Sequence, residues 1–261
     1  RAAKGSTILT VLVCLLCGTS AAGATRISAG NGESDYPSAC AASDGTAWAV
    51  WQTYRDGHDR LVAARWSGEQ WGPPLDGPEV KGDFYKPACG VDANGRLWLV
   101  WSQFLSGDWD LWYSFHDGKK WSEPRPVVVR PGTDFAPRIT RAGNGSLIMV
   151  WQAWQEGSFD ILLSELRDQR WTEAETVTGD SANDWSPAVA VSPDGTVNVV
   201  WDSYRNGDYD VFLRRRKGKL WGAEIPVADS SRFEAYSSAA VDSKGRVWVA
   251  YEERTELWGK D

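Results

Sequence analysis

Apolar and polar positions along this chain fall into short runs punctuated by turn residues, and the runs return every 50 residues. The stretch from 185 to 230 displays one period. Ala188-Val189-Ala190-Val191 is an apolar run of the length of a buried strand. Ser192-Pro193-Asp194-Gly195 follows, where Pro presets φ and Gly supplies a positive φ, which is turn chemistry. Thr196 to Tyr204, rich in Val and aromatic residues, predicts a second strand. Arg205-Asn206-Gly207-Asp208 carries the Asn-Gly hairpin signal. Tyr209 to Arg215 predicts a third strand, and Lys217-Gly218-Lys219 turns the chain. Leu220-Trp221 then opens a fourth element that runs through Ile225-Pro226-Val227. The unit has no room for a helix.

The landmarks keep register throughout. Trp51, Trp101, Trp151 and Trp201 form one series, followed by Tyr251; Trp71, Trp121, Trp171 and Trp221 form another. Gly45 to Gly245, Gly57 to Gly207 and Pro37 to Pro187 step by the same interval. A four-stranded antiparallel sheet repeated at this length predicts an all-β fold, the blade of a β-propeller. The expected blades span roughly 36–80, 86–130, 136–180, 186–230 and 236–261, so about five are present and the last is incomplete. Residues 25–30 are expected as a lone strand, because Thr25-Arg26-Ile27-Ser28 aligns with the fourth strands and could close the ring by pairing into the last blade. The third strand of that blade should begin near residue 260, so the expectation is a five-bladed ring cut one strand short, or the first part of a longer protein. The first Trp series reads as core, since a large ring at one fixed position fills the wedge between blades.

The fourth repeat resembles the TolB-type propeller repeat. It places Ser192-Pro193-Asp194-Gly195, Ser203-Tyr204-Arg205-Asn206-Gly207 and Asp210-Val211-Phe212 in that family's order. The first repeat matches partly, through Ser43-Asp44-Gly45 and Tyr54-Arg55-Asp56-Gly57. The chain is also similar to sialidase-like propellers in its recurring Asp, Gly and Trp. It departs from them in that its Asp/Asn-Gly turn, as in Asp92-Ala93-Asn94-Gly95, lies between the first and second strands, and in lacking their Arg-Ile-Pro motif. These resemblances imply architecture above all, because propellers carry many functions.

Charge and composition narrow the partners. The formal net charge is -7, which disfavours nucleic acid, whose affinity rests on Lys and Arg against phosphate. Residues 1–24 read as a secretory signal peptide. Arg1 and Lys4 precede an apolar run from Ile8 to Leu16, and small residues end in Ala22-Gly23-Ala24. That run is too short to span a membrane as an ordinary helix. A secreted or periplasmic location follows, with Cys40 and Cys89 left in the mature chain. Their repeat positions differ by one, so strand alternation points them to opposite sheet faces and favours two buried free thiols over a disulfide.

Candidate chemistry gathers on the face formed by the loops between strands two and three and by the links between blades. Trp109, Phe159 and Tyr209 recur there beside Asp108 and Asp208, with Arg55 and Arg205 at the turns and Tyr85 and Trp185 on the links. An aromatic ring with a carboxylate suits a sugar, the ring stacking on its apolar face and the carboxylate accepting from hydroxyls. The same residues could instead pack inward and cap turns. The pairs Asp108/Asp110 and Asp208/Asp210 could offer calcium hard oxygen ligands, although no fuller ligand loop accompanies them. Asp202, Glu252 and Glu253 stand just after the periodic aromatic, where Gln52, Ser102 and Gln152 are neutral; they are the candidate acids if the chain hydrolyses glycosides. With only His58 and His116, a multi-His metal centre is excluded. The expectation is a secreted binding or scaffolding module for a glycan or a protein, with a further domain possible downstream in the same polypeptide. The alternative is a glycoside hydrolase or lyase of sialidase-like architecture.

Overall fold

The computed structural model describes residues 26–28, 33–205 and 207–254. The expected signal peptide, Asn206 and residues 255–261 lie outside them. The described chain is all-β, and each sheet is antiparallel.

Blade I is β1 (Glu33–Ala41), β2 (Ala47–Arg55), β3 (His58–Trp66) and β4 (Leu75–Asp76). Blade II is β5 (Asp83–Val91), β6 (Leu97–Leu105), β7 (Asp108–His116) and β8 (Arg125–Pro126). Blade III is β9 (Asp134–Arg141), β10 (Leu147–Gln155) and β11 (Ser158–Arg167), edged by the short β12 (Arg170–Trp171) and β13 (Glu175–Thr176). Blade IV is β14 (Asn183–Val191), β15 (Val197–Arg205) and β16 (Asp208–Lys217), edged by β17 (Leu220–Trp221) and β18 (Ile225–Ala228). Blade V shows β19 (Phe233–Val241) and β20 (Val247–Arg254). The first strands of successive blades adjoin one another, so they form the hub.

Local chemistry explains the hairpins. Between the second and third strands the chain turns on two residues, Asp56-Gly57, Ser106-Gly107 and Glu156-Gly157, with φ of 56° and 80°, 59° and 94°, and 47° and 110°. Positive φ at both central positions gives the twist that matches paired strands.

Alternation sorts side chains between the two faces of each blade. Val50, Leu61 and Ala63 of blade I pack on Leu97, Leu99 and Trp101 of blade II. Trp98, Val100 and Leu111 of blade II pack on Leu147, Met149 and Trp151 of blade III, and Ile148, Val150 and Ile161 of blade III on Val197, Val199 and Trp201 of blade IV. Trp101, Trp151 and Trp201 are wholly buried, each facing the preceding blade. The second Trp series clasps blades from the outer edge. The Trp121 indole donates to the Asp76 carbonyl (2.9 Å) of blade I, and the Trp221 indole to Glu175 (2.6 Å) of blade III.

Two expectations change. Cys40 and Cys89 form a disulfide, with Cα atoms 5.8 Å apart. Adjacent blades meet through opposite faces, so a bond between them requires cysteines of opposite alternation. Cys40 pairs across its sheet with Trp48 and faces blade II; Cys89 pairs with Leu99 and faces blade I. The one-position offset, read as an obstacle, is the condition for the bond. Arg26–Ser28 form no strand, and Ile27 packs on Trp51, Val62 and Ala64, on the face of blade I turned away from blade II.

Candidate functional site at the hub face

Each hub strand opens with a bulge. Tyr36, Lys86, Ala136, Ser186 and Tyr236, one per blade, hold φ between 51° and 57°, and the pairing register slips at each. A non-glycine residue in this region costs about 1–2 kcal/mol, so its return in every blade requires compensation. The bulge frees backbone N–H groups, and the preceding blade accepts them. Ala136 N–H donates to Ser102 Oγ (3.1 Å), and Ser186 N–H to Gln152 Oε1 (3.3 Å). Tyr236 and Ser237 N–H donate to the two oxygens of Asp202 (2.8 and 3.3 Å). At the first interface the equivalent Gln52 Oε1 is buried without a partner.

Asp202 is therefore a clasp between blades IV and V, only 2% exposed, and burial pushes its carboxyl up to about 6. Glu252 is exposed and pairs with Arg254 (3.4 Å), and Glu253 pairs with Arg232. The three acids singled out in the sequence share one end of the molecule, but only Asp202 is buried at the hub.

The bulge turns the preceding side chain toward the loop face, where it meets the aromatic residues of the hairpins. Tyr85 lies 5.4 Å from Trp109 (ring centroids), and Trp109 lies 5.1 Å from Phe135 of the next blade. Trp185 bridges Phe159 (6.3 Å) and Tyr209 (5.5 Å), and Tyr209 reaches Phe233 (5.9 Å). The aromatic residues named from sequence thus form two ring clusters, with Trp109, Phe159, Trp185 and Tyr209 half-buried and Tyr85 exposed, rather than sunk in the core. Sequence reasoning missed a further series, Tyr54, Phe104, Trp154 and Tyr204, which is exposed. Phe104, Trp154 and Tyr204 stand opposite Trp109, Phe159 and Tyr209 across each hairpin, with ring centroids 5.0 to 5.3 Å apart. Their signal was the 50-residue step three places after the buried Trp. Lys86 lies over the Phe135 ring at 5.3 Å.

The polar candidates are engaged within the fold. Asp108 accepts from the backbone N–H of Trp109 (2.8 Å) and of Gly132 (3.0 Å), joining its hairpin to the link into blade III. Asp208 stands beside Asp210, whose carboxyl burial pushes up to about 6, with the Asp208 charge adding to it. Arg55 pairs with Asp76 (3.1 Å). Arg205 pairs with Asp180 and Glu224 (both 2.9 Å) and stacks over Phe212 (4.2 Å). Among the described residues no three His, Cys, Asp or Glu side chains are placed to hold a metal ion, and no helix is long and apolar enough to cross a membrane.

Below this face lie buried acid pairs between blades. Half-buried Asp110 and buried Asp134 stand at the II–III interface, and burial, then the Asp134 charge, pushes the Asp110 carboxyl up. Asp160 with Asp184 and Asp210 with Glu234 occupy the same repeat positions at the next two interfaces. Asp134 and Asp184 are wholly buried, and burial pushes both up, Asp184 to about 6.

This architecture defines the class: a β-propeller whose blades present an aromatic face around the hub. No protein-family model matches the chain, and no curated protein matches it in sequence. Solved structures do match it in fold. A Dyadobacter fermentans protein of unknown function is 16% identical, over 84% of this chain and 75% of that one, with a TM-score of 0.65. An α-L-arabinanase of Penicillium chrysogenum, complexed with arabinobiose, is 15% identical over 83% and 74%, with a TM-score of 0.64. A Hadza microbial sialidase is 15% identical over 84% and 52%, with a TM-score of 0.58. The chain shares the sialidase-like propeller fold.

Proposed function

We propose that this protein acts on glycans and that the aromatic hub face is where it holds them. The observation that carries this reading is the repeated pairing of half-buried and exposed rings on one face. Rings of this kind, beside hydrogen-bonding groups, suit a carbohydrate, which offers an apolar ring face and a belt of hydroxyls. The solved neighbours support it, since they include an arabinanase with arabinobiose bound and a sialidase. They favour a glycoside-processing role over the scaffolding role weighed first from sequence.

The hydrolytic form of the reading assigns the general acid to Asp202, whose carboxyl burial raises to about 6, in the range useful to such a group, and it requires Asp202 to release its bulge N–H partners when substrate binds. Glu252 or Glu253 would then be the second carboxylate. Arabino-, xylo- and sialyl-oligosaccharides, tested for binding by calorimetry and for cleavage by reducing-end release, separate the forms. Trp109→Ala and Tyr209→Ala should weaken binding at least ten-fold. Asp202→Asn should abolish turnover and spare binding if the protein is a hydrolase. If no oligosaccharide binds, the glycan reading fails; if binding occurs without turnover, the protein is a lectin-like module. The TolB-type turns of the fourth repeat are part of this proposal as architecture only. Export belongs to it as well, supported by the disulfide, which persists in oxidising compartments.

A further inference from the structure

Among the described residues, the interfaces of blades II–III, III–IV and IV–V are filled on the loop face by a ring from the third strand, and the I–II interface is not. Trp109 meets Phe135, Phe159 meets Trp185, and Tyr209 meets Phe233. In blade I the repeat position of those rings is Asp59. Other departures meet it there. Arg60 stands where Asp110, Asp160 and Asp210 stand, and Phe84 where Asp134, Asp184 and Glu234 stand. The result is a cleft of about 770 Å³ between blades I and II, lined by Tyr54, Asp59, Arg60, Asp76, Glu79 and Asp83 and floored by the buried Phe84. Arg60 Nε is buried there without a partner.

We propose that this cleft is a subsite for one neutral sugar ring, which takes the place of the missing aromatic residue. The proposal rests on the glycan reading above. The lining selects the ligand. Asp59, Glu79 and Asp83 can accept hydrogen bonds, Asp76 is held by Arg55, and Arg60 can donate. Hydroxyl groups both donate and accept, so a polyol satisfies the mixed set. An acidic sugar would meet the Asp59, Glu79 and Asp83 carboxylates. Tyr54, 51% exposed at the rim, supplies a stacking face. A tight apolar ligand would leave Asp59, Glu79, Asp83 and Arg60 without hydrogen bonds from the ligand.

The test restores the repeat. Asp59→Trp places at the first interface the ring that the next blade carries and fills the cleft. Arabinobiose, xylobiose and galacturonate disaccharide are titrated by calorimetry against wild type, Asp59→Trp, Arg60→Leu and, for the rim of blade II, Trp109→Ala. Thermal melts of each variant establish that it folds. The expected result is binding of a neutral disaccharide that falls at least ten-fold in Asp59→Trp and in Arg60→Leu, with little binding of the acidic one. Binding that survives both cleft variants but is lost in Trp109→Ala overturns the subsite and leaves the glycan reading standing. Preference for the acidic disaccharide overturns the assignment of ligand class. No binding of any sugar to wild type overturns the subsite together with the reading beneath it. If Asp59→Trp does not fold, Arg60→Leu and Tyr54→Ala decide the same question.

Discussion

The first and the last blade interfaces solve one packing problem with different chemistry. Between blades I and II, Gln52 leaves the Lys86 bulge without the side-chain acceptor seen elsewhere, Phe84 and Arg60 replace the buried acid pair, and the Cys40–Cys89 disulfide joins the hub strands. Between blades IV and V, Asp202 accepts two bulge N–H groups, Asp210 and Glu234 are buried nearby, and the shared apolar cluster is built from Ala, Val and Leu without a Trp. Identical backbone geometry thus tolerates a covalent, proton-insensitive joint at one end and a proton-sensitive one at the other. The disulfide and the cleft fall at the same interface, the one whose polar positions depart from the repeat.

The comparison can be broken from either side. The largest effect is expected from Trp101→Ala, which empties the apolar contact between blades I and II; by analogy with other buried ring truncations it should cost about 3–5 kcal/mol in urea denaturation. Reducing the disulfide, or Cys40→Ser, should cost about 2–4 kcal/mol and loosen blade I first, seen as early loss of amide protection in β1 and β2. A uniform loss of protection would show that the blades unfold as one unit. Asp202→Ala removes the acceptor for two bulge amides and should cost about 1–3 kcal/mol, loosening β19 and β20 while sparing blade I.

The pH dependence sharpens the same contrast. Asp184, Asp202 and Asp210, all in blade IV, have carboxyls raised to about 6, in each case chiefly by burial. A carboxyl raised in the folded state holds more protons than in the unfolded chain, so its contribution to stability is complete below the ordinary carboxylate range and is lost as pH rises through about 6. Asp44, Asp117, Asp194, Asp242 and Glu165 are held low by hydrogen bonds and neighbouring cations, and their contribution is lost as pH falls below that range. Urea midpoints should therefore peak near about pH 4, decline from there through about pH 6 and level off above it, with a smaller decline in Asp202→Asn. A midpoint that climbs from about pH 4 to 6 would contradict this assignment. The smallest effect belongs to the face: Trp154→Ala, at an exposed rim ring, should change stability by no more than about 0.5 kcal/mol.

Much of this was legible in the chain. Strand lengths, two-residue hairpins and buried Trp positions are local or strictly periodic properties, so alternation and turn residues predict them without knowledge of the fold. The rings at Trp109, Phe159, Tyr209, Tyr85 and Trp185 were visible for the same reason. What escaped depends on which faces meet. The disulfide was misjudged because opposite alternation separates two cysteines within one sheet but brings them together across two. The chain showed Asp202 only as a candidate catalytic acid and not as a clasp, since its partners, the amides of Tyr236 and Ser237, lie 34 and 35 residues on and are freed only by a bulge. The cleft was invisible because Asp59 is an unremarked hairpin residue until the next blade stands opposite it.

The repeat unit, its four-stranded hairpin order, the residues that fill the wedges and the aromatic character of one face are all written in the chain. These follow from φ preferences, side-chain alternation and the burial of large rings, all of which act within one blade. Only the tertiary structure decided the Cys40–Cys89 bond, the bulge clasps, the buried acid pairs and the open interface between blades I and II. Those are properties of two blades meeting, and their chemistry is set by distances between residues that the chain keeps about one repeat apart.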